Sequence, residues 1–408
     1  MQMITPETME RMRAAGPGKR PGWILACILL IFAGAAAFVF GVIGDHPERA
    51  WQAYLVNFMF WIGVAFGAVM FSAVLTITDA RWGRPLKRLA ESMGAFLPIA
   101  CILFWVLFFG REHLFHWIHE PLPEKASWLN IPFLFLRDGA GLILLTIVGC
   151  WLIYHSVQGD RKAGGSEESE AALAQKRLSP LYGVLYAFIL TMLAFDLIMS
   201  LEPHWYSTLF GVWYFMGSFY TGLAALVILL AVAVRSMGME LFVKDRQRLG
   251  LGQLLLGFCL ITGDFFFTQF LIMWYGNLPE ETGYVLTRMR QSPWPPLALA
   301  ALLACYAIPF GVLLSRRIKM KTAPMVLLSV VILIGIWLER LMLVAPAVWK
   351  GDSLPLGIPE VLITAGFAGM VFLCVVLFLY RYPALPLKDP MFLEASAQLE
   401  EESRSGGH

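Results

Sequence analysis

Residues 51–78 read WQAYLVNFMFWIGVAFGAVMFSAVLTIT, 28 residues without one Asp, Glu, Lys or Arg. About 20 mostly apolar residues in a helix cross the hydrocarbon core of a bilayer, so this run is a spanning helix. Working outward, nine more such runs fall near 23–43, 91–110, 133–157, 180–200, 207–235, 250–276, 295–315, 323–345 and 357–380. No connection between them is long enough for a soluble domain. The sequence therefore reads as an all-α integral membrane protein of about ten transmembrane helices. Composition agrees: 15% of residues are charged, against roughly a quarter in a soluble domain. A net charge of +2 gives no case for nucleic acid. The first apolar run begins at Trp23 after a polar segment and is followed by no small-residue cleavage site, so it reads as a retained helix and not a signal peptide.

Lys and Arg in the connections give an orientation. Alternate connections and both ends carry 23, the opposite side carries six, and Arg137 and Arg340 lie within spans. Both termini are expected in the cytoplasm. The segment 158–175 is polar and reads as flexible, and the acidic tail after Pro390 as disordered. On the outer side the connections are rich in Trp, Pro, His and acids, which suits a docking face for a partner.

Six cysteines (Cys27, Cys101, Cys150, Cys259, Cys305 and Cys374) all lie in apolar runs and form no CxxC. They read as small core residues, not as metal, iron–sulfur or c-haem ligands. His113, His116 and His119 form HxxHxxH, which reads as a short interfacial helix with Trp117 at the headgroups before it reads as a metal site. A b-type haem needs two axial ligands at one depth, and His155 has no evident partner.

Ionisable groups inside a membrane are costly and carry a polar role. Asp264, in ITGDFFFTQF, is the most deeply placed. Asp196 precedes Pro203 by seven residues, and Glu339 precedes Pro346 by seven. Each Pro is expected to end its helix. The match fits two parallel four-helix units. Arg340 adjoins Glu339 but is turned about 100° around the helix, so each is expected to find its own partner. Arg137 and Asp138 are a similar adjacent couple, and Glu91 and His155 lie toward the inner face. Two readings stand. One is a set of buried pairs, such as Arg340 with Asp196, fixing helix register. The other is a proton path through Asp264, Asp196, Glu339, Arg340, Asp138, Arg137, Glu91 and His155.

The segment FDLIMSLEPHWYSTLFGVWYFMGSF (195–219) resembles the signature of NrfD/polysulfide-reductase-type membrane subunits of alternative complex III. FLIMWYGNLPEET (270–282) and WLERLMLVAPA (337–347) are similar to two further segments of that family, and the resemblance runs from about residue 20 to 385. DARWGRPLKRLAE (79–91) and FGREHLFHWIHEPLPEKASWLN (109–130) look like the ActF-type subunit, and the HLGRP-type stretch expected of ActC is missing. The resemblance implies two four-helix bundles, about 51–200 and 207–345, plus two flanking helices in a membrane domain over 23–381. Residues 1–22 and 382–408 would be cytoplasmic, in a bacterial inner membrane. It further implies a quinol:electron-acceptor oxidoreductase, with cytochrome c or a similar acceptor. The chain would pack against an ActC-like, quinol-binding sister and conduct protons. Iron–sulfur and c-haem subunits would sit on the outer side, with small membrane subunits and lipid around it. This chain itself would bind no redox cofactor. The second reading makes it a quinol-binding subunit, with Glu202, His204 and Asp196 taking quinol protons. A third is a secondary transporter.

Overall fold

The computed structural model describes residues 21–394 and Glu10, apart from 121, 162–165, 241, 352, 388 and 390. The expectations for residues 1–9, 11–20 and 395–408 lie outside the described residues.

Ten helices are long and apolar enough to cross a membrane, and no strand occurs among the described residues. They are α1 (Gly22–Ile43), α2 (Pro47–Ile77), α3 (Arg84–Leu114), α4 (Ile131–Gln158), α5 (Glu170–Leu201), α6 (Leu209–Met237), α7 (Asp245–Gly276), α8 (Pro295–Leu313), α9 (Thr322–Val348) and α10 (Ile358–Arg381). Helices α2 to α5 close one four-helix ring and α6 to α9 a second. The rings meet along α2 and α6, with α5 on α6 and α9 on α2. That is the contact pattern of a two-fold axis running along the bundles. Helices α1 and α10 pair with each other and lean on α2. Small residues permit the close crossings: a Cβ on Gly67 would stand 2.3 Å from the Ser218 carbonyl oxygen, and one on Gly222 would stand 2.6 Å from the Ala68 nitrogen.

Four local expectations change. Helix α3 starts at Arg84 and buries Arg84, Lys87 and Arg88 in its first turns. These cations read as loop charges, yet each finds a partner: Asp389 for Arg84, the Gln175 side chain for Lys87, and Glu91 with the Ser156 carbonyl for Arg88. Residues 166–175, read as flexible, extend α5 by a helical segment. In the tail, residues 391–394 form a helical turn with Phe392 fully buried and Glu394 paired to Arg81. Pro346 does not end α9, which runs on to Val348.

Candidate functional site

The buried charges gather into two clusters at corresponding places in the two rings. In the first, Asp196 on α5 is fully buried and accepts from Arg137 on α4 (Nε 2.8 Å, Nη2 2.5 Å) and from the Trp128 indole at 2.9 Å. Trp128 also covers the guanidinium, 3.8 Å from ring centre to Cζ. A cation over an indole face is stabilised by the ring quadrupole, so the couple is sealed as well as paired. Asp138 is 1% exposed and lies against Asp196, and neither of its carboxylate oxygens has a hydrogen-bond donor among the described residues. The pair of Arg340 with Asp196 expected from sequence does not form. Asp196 has Arg137 instead, because α4 is its ring neighbour.

In the second cluster, Glu339 on α9 accepts from Tyr306 on α8 at 2.8 Å and from its own neighbour Arg340 at 2.9 Å. This corrects the expectation that Glu339 and Arg340 have separate partners: the long guanidinium reaches around the turn. Arg340 also lies over the Tyr214 ring at 4.3 Å. The Trp213 indole donates to the Tyr306 hydroxyl at 3.1 Å.

Two prolines shape this cluster. Pro309 has no N–H for the carbonyl four residues back and its ring crowds that oxygen. Around it α8 contains a π turn, Leu303–Ala307, which carries Tyr306. Such turns recur at functional sites. The Cys305 carbonyl accepts instead from the Tyr220 hydroxyl at 3.3 Å and the Cys259 thiol at 3.7 Å. Pro346 likewise frees the Met342 carbonyl, and Arg288 takes it with Nε at 2.9 Å. Arg288 belongs to a connecting helix, Pro279–Arg290. It also bonds Glu202 at 2.6 Å and lies 3.5 Å over the Tyr284 ring. Burial holds the Tyr284 phenol protonated, pushed up to about 12 although Arg288 opposes the shift.

Between these groups lies a cavity of about 360 Å³, walled by Trp205, Trp213, Phe266, Tyr284, Tyr306 and Glu339 among others. Met289, Leu299 and Leu302 at its rim are exposed, so it opens sideways. An apolar chamber ending in a carboxyl, a phenol and an indole can hold the polar end of an apolar molecule, or pass a proton. A separate groove of about 450 Å³ lies over the first cluster, lined by Glu124, Lys125, Trp128, Pro203 and Tyr206.

The other sequence candidates stand apart. Glu91 is fully buried and saturated, accepting from Ser72 (2.9 Å), Ser156 (2.9 Å) and Arg88 (3.0 Å), which ties α2, α3 and α4 together. His155 packs only on Trp151 and Tyr154 among the described rings. Glu202 is held by Arg288, and His204 is exposed, so these two and Asp196 do not converge on one cavity. Asp264 faces outward from α7, away from both clusters. Thr262 and Gln269 on the same helix bond back to carbonyls of that helix. Sequence reasoning missed Tyr306, Trp128, Trp213 and Arg288. Pro346 was the signal for Arg288, since it frees the Met342 carbonyl that some side chain must satisfy, and Pro309 marks the irregular turn that carries Tyr306.

A family model described as polysulphide reductase, NrfD, matches residues 41–349. The chain belongs to the NrfD family. The matched region takes in both rings and both carboxyl clusters. NrfD family members pair with iron–sulfur-containing partner subunits, and the family points to membrane subunits of quinol oxidoreductase-type complexes. This NrfD protein is accordingly a multi-pass membrane protein. No curated protein matches the chain.

Proposed function

We propose that this chain is the ActF-type membrane subunit of an alternative complex III in a bacterial inner membrane, with both termini in the cytoplasm. In this reading it packs against an ActC-like, quinol-binding sister. Iron–sulfur and c-haem subunits dock on its outer side and carry the electrons, and the chain itself conducts protons. The observation that carries the proton role is the pair of membrane-buried carboxyl clusters, Asp196–Arg137–Asp138 and Glu339–Tyr306–Arg340, at equivalent positions of the two rings. Groups that can take and release a proton at matched depth suit a relay better than a single structural ion pair does. The test is proton translocation per electron in vesicles holding the whole complex. Glu339→Gln and Asp196→Asn should lower it while the complex assembles. A wild-type ratio in both would remove the relay role.

One observation favours the second reading, quinol binding by this chain. The sideways-opening cavity at Glu339 and Tyr306 has the size and lining of a small-ligand pocket. It differs from the Glu202, His204 and Asp196 set expected from sequence.

A further inference from the structure

Helix α7 is the least covered helix of the second ring together with α8, and its outward face carries Gln253 and Asp264 among exposed apolar residues such as Leu260, Ile261, Phe267 and Ile272. Gln253, Gly257, Leu260, Asp264, Phe267 and Leu271 follow one another at steps of four and three residues. That 3.5-residue repeat places them on a single seam. Gln253, Leu260, Asp264 and Phe267 are exposed, Gly257 and Leu271 half-buried. A Cβ on Gly257 would meet nothing within 4 Å, so its smallness serves no contact inside this chain. Asp264 lies twelve residues before the helix end at Gly276, roughly 18 Å along the axis at 1.5 Å per residue. It has no hydrogen-bond or ion-pair partner among the described residues.

The contrast with α1 is informative. Its exposed residues include Leu25, Leu29, Phe32 and Phe40, which is the chemistry lipid tails accept. A carboxyl in lipid is expensive, and such groups pair or face protein. Small residues and interspersed polar side chains are what spanning helices use to pack on one another.

We propose that the Gln253–Leu271 seam of α7 is the docking face for one spanning helix of another protein chain. That helix crosses in the left-handed, knobs-into-holes manner and presents a cationic or hydrogen-bond-donating side chain to Asp264. Three observations fix the occupant. The seam has the repeat of a single crossing helix, the glycine lets a backbone approach, and the carboxyl selects a donor. A second copy of this chain is disfavoured, since a two-fold contact along α7 sets Asp264 against Asp264. The inference rests on the chain's embedding in the membrane and not on which complex holds it.

The experiment uses the whole complex in its native membrane. A photo-cross-linking residue replaces Leu260, and in a control Leu29, and the adduct peptides are sequenced by mass spectrometry. The expected adduct at Leu260 is a spanning segment of a different chain with Lys, Arg, His, Asn, Gln, Ser or Thr at the depth of Asp264. Asp264→Lys should then cut co-purification of that chain at least tenfold, Asp264→Asn should retain most of it, and an acidic residue at the partner's donor should restore the Asp264→Lys complex. Asp264 faces outward, so the substituted chain should still insert. If it does not, Gly257→Phe, which fills the seam without charge, should give the same loss. Adducts only with lipid or with a second copy of the chain would overturn the proposal, as would undiminished co-purification in both variants. Failure of the alternative complex III reading would look different: the same seam contact, made to a chain from another assembly.

Discussion

The Tyr306 hydroxyl donates to the Glu339 carboxylate at 2.8 Å from a π turn of the neighbouring helix. The bond joins the π turn to the one carboxyl that lines the sideways-opening cavity. Tyr306→Phe removes only the donor and keeps the ring. In the relay reading it should slow proton transfer several-fold with assembly intact, read as proton uptake by vesicles against electron flux. Pro309→Ala, which restores an N–H for the Cys305 carbonyl, should have a similar effect by drawing Tyr306 away from Glu339. Equal, undiminished transfer in both variants would leave the bond as a helix clamp.

Arg137 and Asp196 make a different prediction, one of stability. Removing one member of a buried pair leaves the other charge uncompensated, at a cost of about 3–5 kcal/mol. Arg137→Ala should therefore lower the thermal unfolding midpoint of the detergent-solubilised protein. Arg137→Ala with Asp196→Asn should recover part of the loss, since no lone charge remains. A double variant worse than the single would mean that packing under Trp128, and not charge, dominates.

Arg288 tests the role of the prolines. Arg288→Met keeps length but removes the donors of the Met342 and Leu343 carbonyls and the partner of Glu202. Unsatisfied buried acceptors cost about 1–3 kcal/mol each. Hydrogen exchange should rise in residues 279–290 and at the end of α9, while α1 and α10 stay protected. Unchanged exchange in 279–290 would show that Trp205 stacked on Tyr284 holds the connecting helix by itself.

The ten helices were legible because bilayer thickness forces a length and an apolar content that few other structures need. The two rings were legible in part, from Asp196–Pro203 and Glu339–Pro346 alone. Partners inside the membrane were not. Adjacency in sequence put Arg137 beside Asp138 and Arg340 beside Glu339, but only the packing of α4 on α5 brings Arg137 to Asp196. Helix starts were misplaced where charge misled. Arg84, Lys87 and Arg88 look like loop residues until Glu91, Gln175 and Asp389 are seen around them. Tyr306 was invisible because one phenol among twelve tyrosines carries no mark, although Pro309 three residues later did.

The proposed orientation rests on the 23 to six division of Lys and Arg. Reporter fusions after residue 165 and after residue 400 should give a cytoplasmic signal, and those near 125 or 285 an external one. The burial of Arg84, Lys87 and Arg88 trims the count of charges free to meet lipid headgroups on one side, yet leaves the asymmetry large. A periplasmic signal at 165 would invert the whole arrangement, and the docking face for iron–sulfur and haem subunits with it.

The two readings of the cavity separate on quinol kinetics. If the sister subunit alone oxidises quinol, Glu339→Gln should leave KM for quinol unchanged and act only on proton transfer. His204→Ala, at an exposed residue away from the cavity, should change neither and affect assembly at most. If this chain holds a quinol in the cavity, Leu302→Trp, placed at the rim to narrow the sideways opening, should raise KM several-fold, and Tyr306→Phe should do the same by removing a polar partner. Isolated chain titrated with a quinone analogue gives an independent readout, since a ring entering between Trp213 and Tyr284 should quench tryptophan fluorescence in the wild type and not in the Leu302→Trp variant, once the added indole is corrected for. Saturable quenching together with a raised KM would make this chain a quinol-binding subunit. Neither effect would leave the cavity to proton transfer.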